Sequence, residues 1–578
     1  MIDFQWLIGG EAGYGIMTTG LMMSKILTRL GLSVFDYVEY PSLIRGGHNA
    51  YYVRASDEEI YSQKKTVDIL VALNRDTVEK HKDELSEKGV IVYDPGFTKI
   101  EEGEFDKGKL IPVPFLEIVK KLNVDKLMVN TVAVGASLAL FYPDFKVLED
   151  LMRDTFAKKG EKVVLENINC SKEGFDFVQK NFSQKKLLSV ANKTQENILI
   201  SGAEAVAIGA IKAGLKFAAI YPMTPINAIL TTLSSNAISY NIVVKEPEDE
   251  ISGINMAIGA SYAGVRSMVA TSGGGFSLMV ESLGLAAQTE TPLVIVMGQR
   301  PGPATGFPTW TGQQDLRFVI HAAQGEFPRI IFAPGDMLEA FHQTILAFNL
   351  AEKYQVPVIV LVDKYLMEGH ATVNKSQISD VKYQIEKGKN LKDEELESIA
   401  DYKRYELTED GVSKRSLPGQ KGGISLTGSD EHDERGLYNE EAQNRIKMMD
   451  KRFKKMDKII QEIPKPQPIG SGKNQIGILS FGSTKLPVLD ALKELKKGGL
   501  EIDFMHIPSI EPFPENEVSS FINSHPKTLI IEGNKTGQLE GLIREKIGLT
   551  VTSNFRKYDG RPFYFEEIVE KVKSAILS

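Results

Sequence analysis

The sequence has only one cysteine, Cys170, in 578 residues, and this scarcity excludes two kinds of protein. A single thiol cannot form a disulfide within the chain, so a disulfide-stabilised fold is excluded. A single thiol also cannot hold an iron–sulfur cluster, because such a cluster usually takes four thiolates. The chain on its own therefore carries no such cluster.

Three other features are missing. No apolar run reaches membrane-spanning length, and the N-terminus MIDFQWLIGG lacks the basic segment of a secretory signal. The net charge of -8 does not favour nucleic-acid binding. The eight histidines show no HExxH or comparable spacing, so we expect no dedicated metal site. We expect a cytoplasmic protein that binds neither a membrane nor a nucleic acid.

Short apolar runs alternate with helical patterns along most of the chain, which predicts an α/β fold class. In residues 1–182 the runs FQWLIGG, SVFDYVEY, VDILVALN and GVIVYDP predict strands, and GIMTTGLMMSKILTRLG predicts a helix. Residues 198–374 and 475–578 repeat this alternation, with Val/Ile-rich runs typical of parallel sheets covered on both faces. The length also favours several domains. We therefore predict three domains with mostly parallel sheets.

Two polar stretches separate these domains. Residues 183–197 are predicted to be a linker. Residues 375–474 form a charged excursion that contains SDEHDERG and ends in a predicted helix, RIKMMDKRFKKMDKIIQEIP. We interpret its charges as a solvated face, which is the usual role of such runs.

The segment YPMTP, Tyr221 to Pro225, places one hydroxyl between two prolines directly after a predicted strand. Proline fixes its own φ and restricts the residue before it, so Tyr221 and Thr224 are pushed into an extended conformation. A chain this rigid holds the Thr224 hydroxyl in a set place.

The segment KEPEDE brings four acids to the mouth of a strand and leads into a helix of small residues. Acids in a first helical turn usually only complement the helix dipole. Glu250, however, directly precedes the small-residue helix, where one carboxylate could be drawn into an apolar interface. A buried, protonatable carboxylate is suited to relaying a proton.

Three glycine-containing loops also follow predicted strands. The turn Gly10-x-x-Gly13-x-Gly15 could present amide groups to an anion, but it does not match the dinucleotide fingerprint, and a tight turn without a ligand is the alternative. VATSGGGFSLMVE lacks the lysine of a P-loop; its glycines would let a ligand approach the backbone closely, and a tight turn is again the alternative. The third loop, residues 298–316, holds Arg300, Thr305, Thr309 and Thr311. An arginine among hydroxyls suits a carboxylate, although a surface ion pair is the alternative for Arg300.

Together these stretches resemble the 2-oxoacid:ferredoxin oxidoreductases, over nearly the whole chain. The likeness is to the α subunit of the two-subunit type, in which a γ domain is fused ahead of the α portion. YPMTP matches the family's YPITP, EPEDE matches its cofactor-binding acid, and QRPGPATGFPT matches its substrate loop. YPSLIRGGHN and NTVAVGA resemble the γ domain, whereas GGEAGYG departs from the usual GxGGxG at Ala12.

The resemblance implies a function for each domain and for named residues. Residues 1–182 would be the γ-type domain, 198–374 the domain that binds the pyrimidine of thiamine diphosphate, and 475–578 a transketolase C-terminal-like domain. Glu250 would be the catalytic acid beside the pyrimidine. The resemblance assigns substrate binding to Thr224, Arg300 and Thr309, and cofactor binding to Tyr221, Pro222, Met223 and Glu250. It also implies coenzyme A as the acyl acceptor. Arg45, with Gly46 and Gly47, is the candidate phosphate contact of coenzyme A, and a purely structural turn is the alternative.

The resemblance also implies partners. The chain has no Gly-Asp-Gly motif for the diphosphate and Mg²⁺, so a β subunit would supply these together with a [4Fe-4S] cluster that reduces ferredoxin. We expect an (αβ)₂ heterotetramer. The substrate would be 2-oxoglutarate, with His48, Lys364 or the β subunit as candidate contacts of its distal carboxylate, while pyruvate and branched-chain or aryl 2-oxoacids stay open.

Two other readings of the sequence are also open. One is a ligand-binding or regulatory α/β protein without chemistry of its own. The other is a thiamine enzyme of the transketolase or acetolactate type, against which the missing diphosphate motif argues.

Overall fold

The computed structural model of the chain describes residues 2–43, 46–100, 104, 109–182 and 196–577. Two sequence predictions fall outside these ranges: the coenzyme A contact Arg45 and the linker up to residue 195. All other predicted site residues lie in the described part of the chain.

The first segment alternates strands and helices. Its strands are β1 (Asp3–Glu11), β2 (Ser33–Glu39), β3 (His48–Ser56), β4 (Val67–Ala72), β5 (Leu85–Tyr93) and β6 (Lys109–Pro112). Its helices are α1 (Ile16–Arg29), α2 (Arg75–His81), α3 (Phe115–Leu122), α4 (Val129–Leu138), α5 (Lys146–Phe156) and α6 (Glu161–Phe182). The sequence analysis missed β3, whose apolar residues are interrupted by Arg54. That guanidinium is buried, and it pairs with Asp3 at 2.8 Å and Asp490 at 2.9 Å.

The second segment contains the predicted Val/Ile-rich strands. Its strands are β7 (Asn197–Ser201), β8 (Phe217–Ala219), β9 (Val243–Lys245), β10 (Ser267–Ser272), β11 (Leu293–Gln299), β12 (Ile330–Phe332), β13 (Pro357–Asp363) and β14 (His370–Asn374). Its helices are α7 (Gly202–Lys212), α8 (Asn227–Tyr240), α9 (Glu250–Tyr262), α10 (Gly273–Gln288), α11 (Leu316–His321), α12 (Met337–Tyr354) and α13 (Lys364–Glu368).

The charged excursion and the last segment complete the chain. The helices of the excursion are α14 (Ser376–Ser379), α15 (Asp393–Glu397), α16 (Ala442–Lys454) and α17 (Met456–Glu462). The last segment has the strands β15 (Ile476–Ser480), β16 (Asp503–His506), β17 (Ser509–Glu511), β18 (Lys527–Glu532) and β19 (Ser553–Arg556). Its helices are α18 (Lys485–Lys497), α19 (Glu515–Ser524), α20 (Gln538–Ile547) and α21 (Phe565–Leu577). Single 3₁₀ turns lie at Lys82–Glu84, Lys126–Met128, Ala157–Lys159 and Gly482–Thr484.

The strands form three sheets, and most neighbouring strands are parallel, which confirms the predicted fold class. The sheet orders are β6-β5-β4-β1-β3-β2-β14-β7, β17-β12-β13-β11-β10-β8-β9 and β16-β15-β18-β19. The antiparallel pairs are concentrated in the first sheet, where β3, β2, β14 and β7 follow one another. The sheet of the last segment is parallel throughout its described strands.

Some strands of one segment belong to the sheet of another segment. Strands β7 and β14, at the two ends of the second segment, pair with each other, and β14 joins β2 in the first sheet. Strand β17 of the last segment pairs with β12 in the second sheet. The short helix α13, which precedes β14, is thereby held beside β2. This placement matters for the site, because the residue after β2 is Tyr40. The domain boundaries drawn from the sequence stay a prediction.

The sequence analysis interpreted the charges of the excursion as a solvated face. This interpretation is wrong for Lys451 and Lys455. Lys451 and Lys455 are buried and each lies 2.6 Å from a carboxylate oxygen of buried Glu290. Burial alone would raise the pKa of Glu290, yet the two ammonium groups hold that pKa well below its usual range. The excursion is therefore fastened to the second segment by a buried ion cluster.

Within the described residues, no helix is long and apolar enough to cross a membrane.

Candidate functional site

Thr224, Glu250 and Arg300 follow parallel strands of the second sheet. Strands β8, β10 and β11 are neighbours there. The YPMTP segment follows β8, the glycine run of α10 follows β10, and Arg300 follows β11. Ligands of open α/β sheets bind at this edge, because the loops after adjacent strands converge on it.

Thr224 and Arg300 are in direct contact. The Arg300 Nη1–H donates a hydrogen bond of 3.0 Å to the carbonyl oxygen of Thr224. Pro225 packs on Gly298, where a β-carbon would lie 2.9 Å from its ring. Tyr221 and Pro222 are exposed, whereas Met223 and Thr224 are half-buried. The rigid proline segment is thus seated on β11, with its threonine beside the arginine.

Glu250 is the first residue of α9 and is only 3% exposed. The helix is capped by Asp249, whose side chain accepts from the Ser252 N–H at 2.8 Å. The Glu250 Oε1 oxygen has no hydrogen-bond partner among the residues that the structure describes. A buried oxygen without a partner is unfavourable by about 1–3 kcal/mol, and in native structures it calls for an explanation such as a ligand.

Glycine is required opposite this carboxylate. A β-carbon at Gly275, in the first turn of α10, would lie under 3.0 Å from both Glu250 Oε1 and Thr271 Oγ1. The glycine run, for which the sequence left a close ligand approach and a tight turn both open, therefore lets α10 approach Glu250 closely.

A cavity of about 220 Å³ opens at the N-terminus of α10, next to Gly275. Its walls include Ser272, Gly273, Gly274, Ser277, Arg300 and Asp315. The Ser272 hydroxyl oxygen is buried and has no hydrogen-bond partner in the described part of the chain. The cavity therefore combines a guanidinium with an unused hydroxyl and the free amide groups of a helix N-terminus, which together suit an anionic ligand.

Asp315 is a site residue that the sequence analysis missed. Burial raises the pKa of its carboxyl to about 6, although Arg300 opposes the shift. Burial also lowers the pKa of Arg300, and Asp315 opposes that change. A signal was present in the sequence, since Asp315 closes the same loop as Arg300, but the analysis considered only the loop's arginine and hydroxyls.

Thr309 lies apart from this cavity. Its hydroxyl is buried and donates a hydrogen bond of 2.6 Å to the carbonyl oxygen of Tyr40, in the first segment. The phenol O–H of Tyr40 in turn donates to Glu368, whose two carboxylate oxygens lie 2.9 and 3.1 Å away. Thr309 is therefore joined to the first segment through Tyr40, which the sequence analysis did not single out.

The remaining candidates lie toward the first segment. Gly46 and Gly47 both have left-handed backbone conformations, with φ of 74° and 77°. The His48 Nε2 atom is 2.8 Å from His81 Nε2, and burial, followed by the neighbouring His81, lowers the His48 pKa to about 4. Lys364 is fully buried, and its Nζ donates to the Val38 carbonyl and lies 3.5 Å from Glu368. Lys364 is therefore already engaged within the chain.

Comparison with known proteins shows the family of the chain. The family model "Pyruvate ferredoxin/flavodoxin oxidoreductase" matches residues 5–177, and "Pyruvate flavodoxin/ferredoxin oxidoreductase, thiamine diP-bdg" matches residues 208–451. The 2-oxoacid:ferredoxin oxidoreductase subunit alpha of a Sulfolobus species is 34% identical and is aligned over 99% of this chain and 96% of its own length. The chain belongs to the 2-oxoacid:ferredoxin oxidoreductase alpha subunits.

Two further relatives refine this placement. The 2-oxoglutarate synthase subunit KorA of Methanothermobacter thermautotrophicus is 34% identical, over 65% of this chain and 98% of its own length. The structure of 2-oxoglutarate:ferredoxin oxidoreductase from Magnetococcus marinus, with 2-oxoglutarate, coenzyme A and succinyl-CoA bound, superimposes with a TM-score of 0.92 at 33% identity, covering 100% of both chains.

Family membership confirms the resemblance that the sequence motifs predict. Like the other alpha subunits, this 2-oxoacid:ferredoxin oxidoreductase chain is part of an oxidoreductase with an iron–sulfur protein as acceptor. The match to the thiamine-diphosphate-binding model contains Thr224, Glu250, Arg300 and Thr309. Tyr40 and the Gly46–Gly47 turn lie in the other match.

Proposed function

We propose that this chain is the α subunit of an enzyme that oxidatively decarboxylates 2-oxoglutarate to succinyl-CoA and CO₂. Two electrons would pass to ferredoxin through a cluster on a separate β subunit. The observation that carries the proposal is the buried, unpartnered Glu250 oxygen close to a cavity lined by Arg300. The choice of 2-oxoglutarate is supported by the Magnetococcus marinus enzyme and the KorA subunits, whose names specify this substrate.

The residues present fit the pyrimidine half of thiamine diphosphate. Glu250 offers one carboxyl oxygen without a protein partner, so a ring nitrogen of the cofactor can take that position. The exposed Tyr221 and Pro222, with Met223, would flank the ring. When bound, thiamine diphosphate supplies the electron sink that decarboxylation of a 2-oxoacid needs. Glu250 holds the proton that such a ring nitrogen shares, and burial keeps water from competing for it.

Arg300 and Thr224 would hold the 2-oxoacid. One guanidinium N–H is used by the Thr224 carbonyl. The other donors of Arg300 have no hydrogen-bond partner within the described residues, so they can take a carboxylate. The first amide groups of α10 add positive potential at the same cavity. These groups would neutralise the carboxylate of the substrate and would position its carbonyl beside the cofactor. Both effects lower the activation barrier of the reaction.

The remaining parts of the reaction would come from a β subunit. The single cysteine is buried in the first segment, and the sequence has no Gly-Asp-Gly motif, so we place Mg²⁺ and the [4Fe-4S] cluster on that partner. Close to Glu250, Ile251 is 46% exposed, Met256 36% and Leu278 49%. Apolar side chains exposed together on α9 and α10 offer a docking surface for it. The assembly would be an (αβ)₂ heterotetramer.

Coenzyme A would be the acyl acceptor. The left-handed turn at Gly46 and Gly47 follows β2 and precedes β3, at the edge of the first sheet that faces Thr309. Backbone amide groups in such a turn suit phosphate groups. We assign the coenzyme A contact to Arg45, Gly46 and Gly47.

The test is turnover by the complex of this chain with its β subunit. We expect viologen or ferredoxin reduction that depends on 2-oxoacid and coenzyme A, with kcat/KM for 2-oxoglutarate at least about tenfold above that for pyruvate, because a site built for a second carboxylate rejects a substrate that lacks one. The chain alone should be inactive. A preference for pyruvate would contradict the substrate assignment, and the absence of any 2-oxoacid-dependent reduction would favour a binding or regulatory protein.

A further inference from the structure

Asp315 stands directly before α11, a position at which an aspartate usually caps the helix. Its side chain makes no capping hydrogen bond here. The backbone is held instead, because the Asp315 N–H donates to the Gln299 side-chain oxygen at 3.1 Å and its carbonyl oxygen accepts from the Val319 N–H at 3.0 Å. Within the described residues, the carboxylate itself has no hydrogen-bond partner and no ion pair.

The unused carboxylate lies against the first turn of α10. A β-carbon at Gly273 would lie 3.0 Å from Asp315 Oδ2 and 3.4 Å from Oδ1. Asp315 and Arg300 line the same cavity of about 220 Å³ at this helix terminus. An acid of the chain therefore lies in the cavity that we assign to the substrate carboxylate.

The other polar groups of this cavity are hydrogen-bond donors. Arg300 offers guanidinium N–H groups, and an α-helix such as α10 leaves its first amide groups without a partner inside the helix. Ser272 makes no capping hydrogen bond, and its hydroxyl oxygen is fully buried without a partner in the described part of the chain. An ionised Asp315 competes with an anionic substrate for these donors, whereas a protonated Asp315 is one more donor.

The charges in the cavity balance only before a substrate enters, when Arg300 carries one positive charge and an ionised Asp315 one negative charge. Among the described residues, Arg300 is the charged group that acts on the Asp315 carboxylate. On the elements packed beside it, Arg317 of α11 and Glu545 of α20 pair with each other. A substrate carboxylate brings a second negative charge to one guanidinium. Two carboxylates that share a site do not both ionise readily, so the pKa of one of them rises.

Asp315 is the carboxylate that accepts the proton. Burial already raises the pKa of its carboxyl to about 6, although Arg300 opposes this shift. The oxo group of a 2-oxoacid withdraws electrons from the neighbouring carboxylate and makes the substrate the stronger acid. The substrate therefore stays ionised and pairs with Arg300.

We propose that Asp315 takes up one proton from solvent when the carboxylate of the 2-oxoacid enters the cavity at Arg300, and that the resulting carboxyl group donates a hydrogen bond to the substrate. The inference rests on the proposed function, since it takes the 2-oxoacid as the ligand of this cavity. It makes substrate binding depend on pH: the affinity falls as the pH rises, because binding consumes a proton.

The test is the binding of 2-hydroxyglutarate to the complete complex with the β subunit. This probe keeps both carboxylates of 2-oxoglutarate but has no oxo carbon, so it is not decarboxylated. Isothermal titration calorimetry at pH 7 in two buffers of different ionisation enthalpy gives the number of protons taken up. Wild type should take up about half a proton or more per site, and its Kd should rise about five- to twentyfold from pH 6.5 to pH 8.

Two substitutions separate the charge of Asp315 from its hydrogen bond. Asp315→Asn keeps a donor without the charge, so it should take up no proton and should bind the probe equally well at pH 6.5 and pH 8. Asp315→Ala should also lose the pH dependence, but its Kd should be about three- to tenfold above that of Asp315→Asn because the donor is missing. Asp144→Asn removes an exposed carboxylate of the first segment and should keep the pH dependence of wild type.

Three results would overturn the inference: no proton uptake by wild type, the pH dependence of wild type in Asp315→Asn, or equal affinity of the Asn and Ala variants. Turnover of 2-oxoglutarate by the wild-type complex is measured separately, and the proposed function stands where that turnover is present. A wild-type complex that turns over no 2-oxoacid would contradict the proposed function and would remove the ligand on which this inference rests.

Discussion

Gly275 and Glu250 approach each other so closely that a β-carbon at position 275 would lie under 3.0 Å from the Glu250 Oε1 oxygen. Helices α9 and α10 start from different strands, and glycine lets them meet at the carboxylate that we assign to the cofactor. The stability of this contact and its function can therefore be tested at the glycine as well as at the acid.

Gly275→Ala should push Glu250 out of its position. We expect kcat/KM of the complex to fall at least about tenfold, with a loss of about 1–3 kcal/mol in the free energy of unfolding from overpacking. Gly259→Ala is the matched control, because a β-carbon there meets nothing within 4 Å and the residue lies in the same helix as Glu250. Equal activity of the two variants would argue against a functional contact at Gly275.

Asp315→Asn should change the pH dependence of stability. The folded-state pKa of Asp315, about 6, lies above the ordinary value of 3.8. Its contribution to stability is therefore fully present below pH 3.8 and is lost as the pH rises through 6. Asparagine has the same shape without the charge, so the variant should be more stable than wild type by about 3 kcal/mol at pH 7.5 and nearly equally stable near pH 4.

Thermal or denaturant unfolding of both proteins from pH 4 to 8 measures this difference. A difference that stays constant over the whole range would show that Asp315 has an ordinary pKa. Asp430→Asn on the exposed part of the excursion is the control, since its carboxylate is solvated and the substitution should give no pH-dependent difference.

Glu290→Gln should loosen the charged excursion. The substitution leaves the ammonium groups of Lys451 and Lys455 buried without their carboxylate. Removing one partner from a buried ion cluster typically destabilises a protein by about 3–5 kcal/mol. We expect a clearly lower melting temperature, whereas the exposed Glu441→Gln should melt like wild type. An unchanged melting temperature for Glu290→Gln would mean that the cluster does not anchor the excursion.

The sequence predicts those parts of the site that depend on local chain geometry. The two prolines around Thr224 and the acid at the start of a small-residue helix can be recognised within a few residues. The strand–helix alternation likewise predicts the fold class, because hydrophobic periodicity is a local property.

Contacts between distant segments could not be predicted in this way. Tyr40 meets Thr309 across 269 residues, and this depends on the pairing of β14 with β2. Strand β3 was missed because Arg54 interrupts its run of apolar residues. The charge of Arg54 is neutralised by Asp490, which lies 436 residues away in the sequence. Lys451 and Lys455 of the excursion look solvated in the sequence for the same reason: Glu290, their partner, lies 161 and 165 residues earlier.

Replacing Glu250 tests the central claim most directly. In the complex with the β subunit, Glu250→Gln should lower kcat for 2-oxoacid oxidation at least about tenfold, because the amide cannot share a proton with the cofactor ring as a carboxyl does. Glu248→Gln, two residues earlier and exposed, should keep wild-type activity. A Glu250→Gln complex that turns over the 2-oxoacid as fast as wild type would contradict the account.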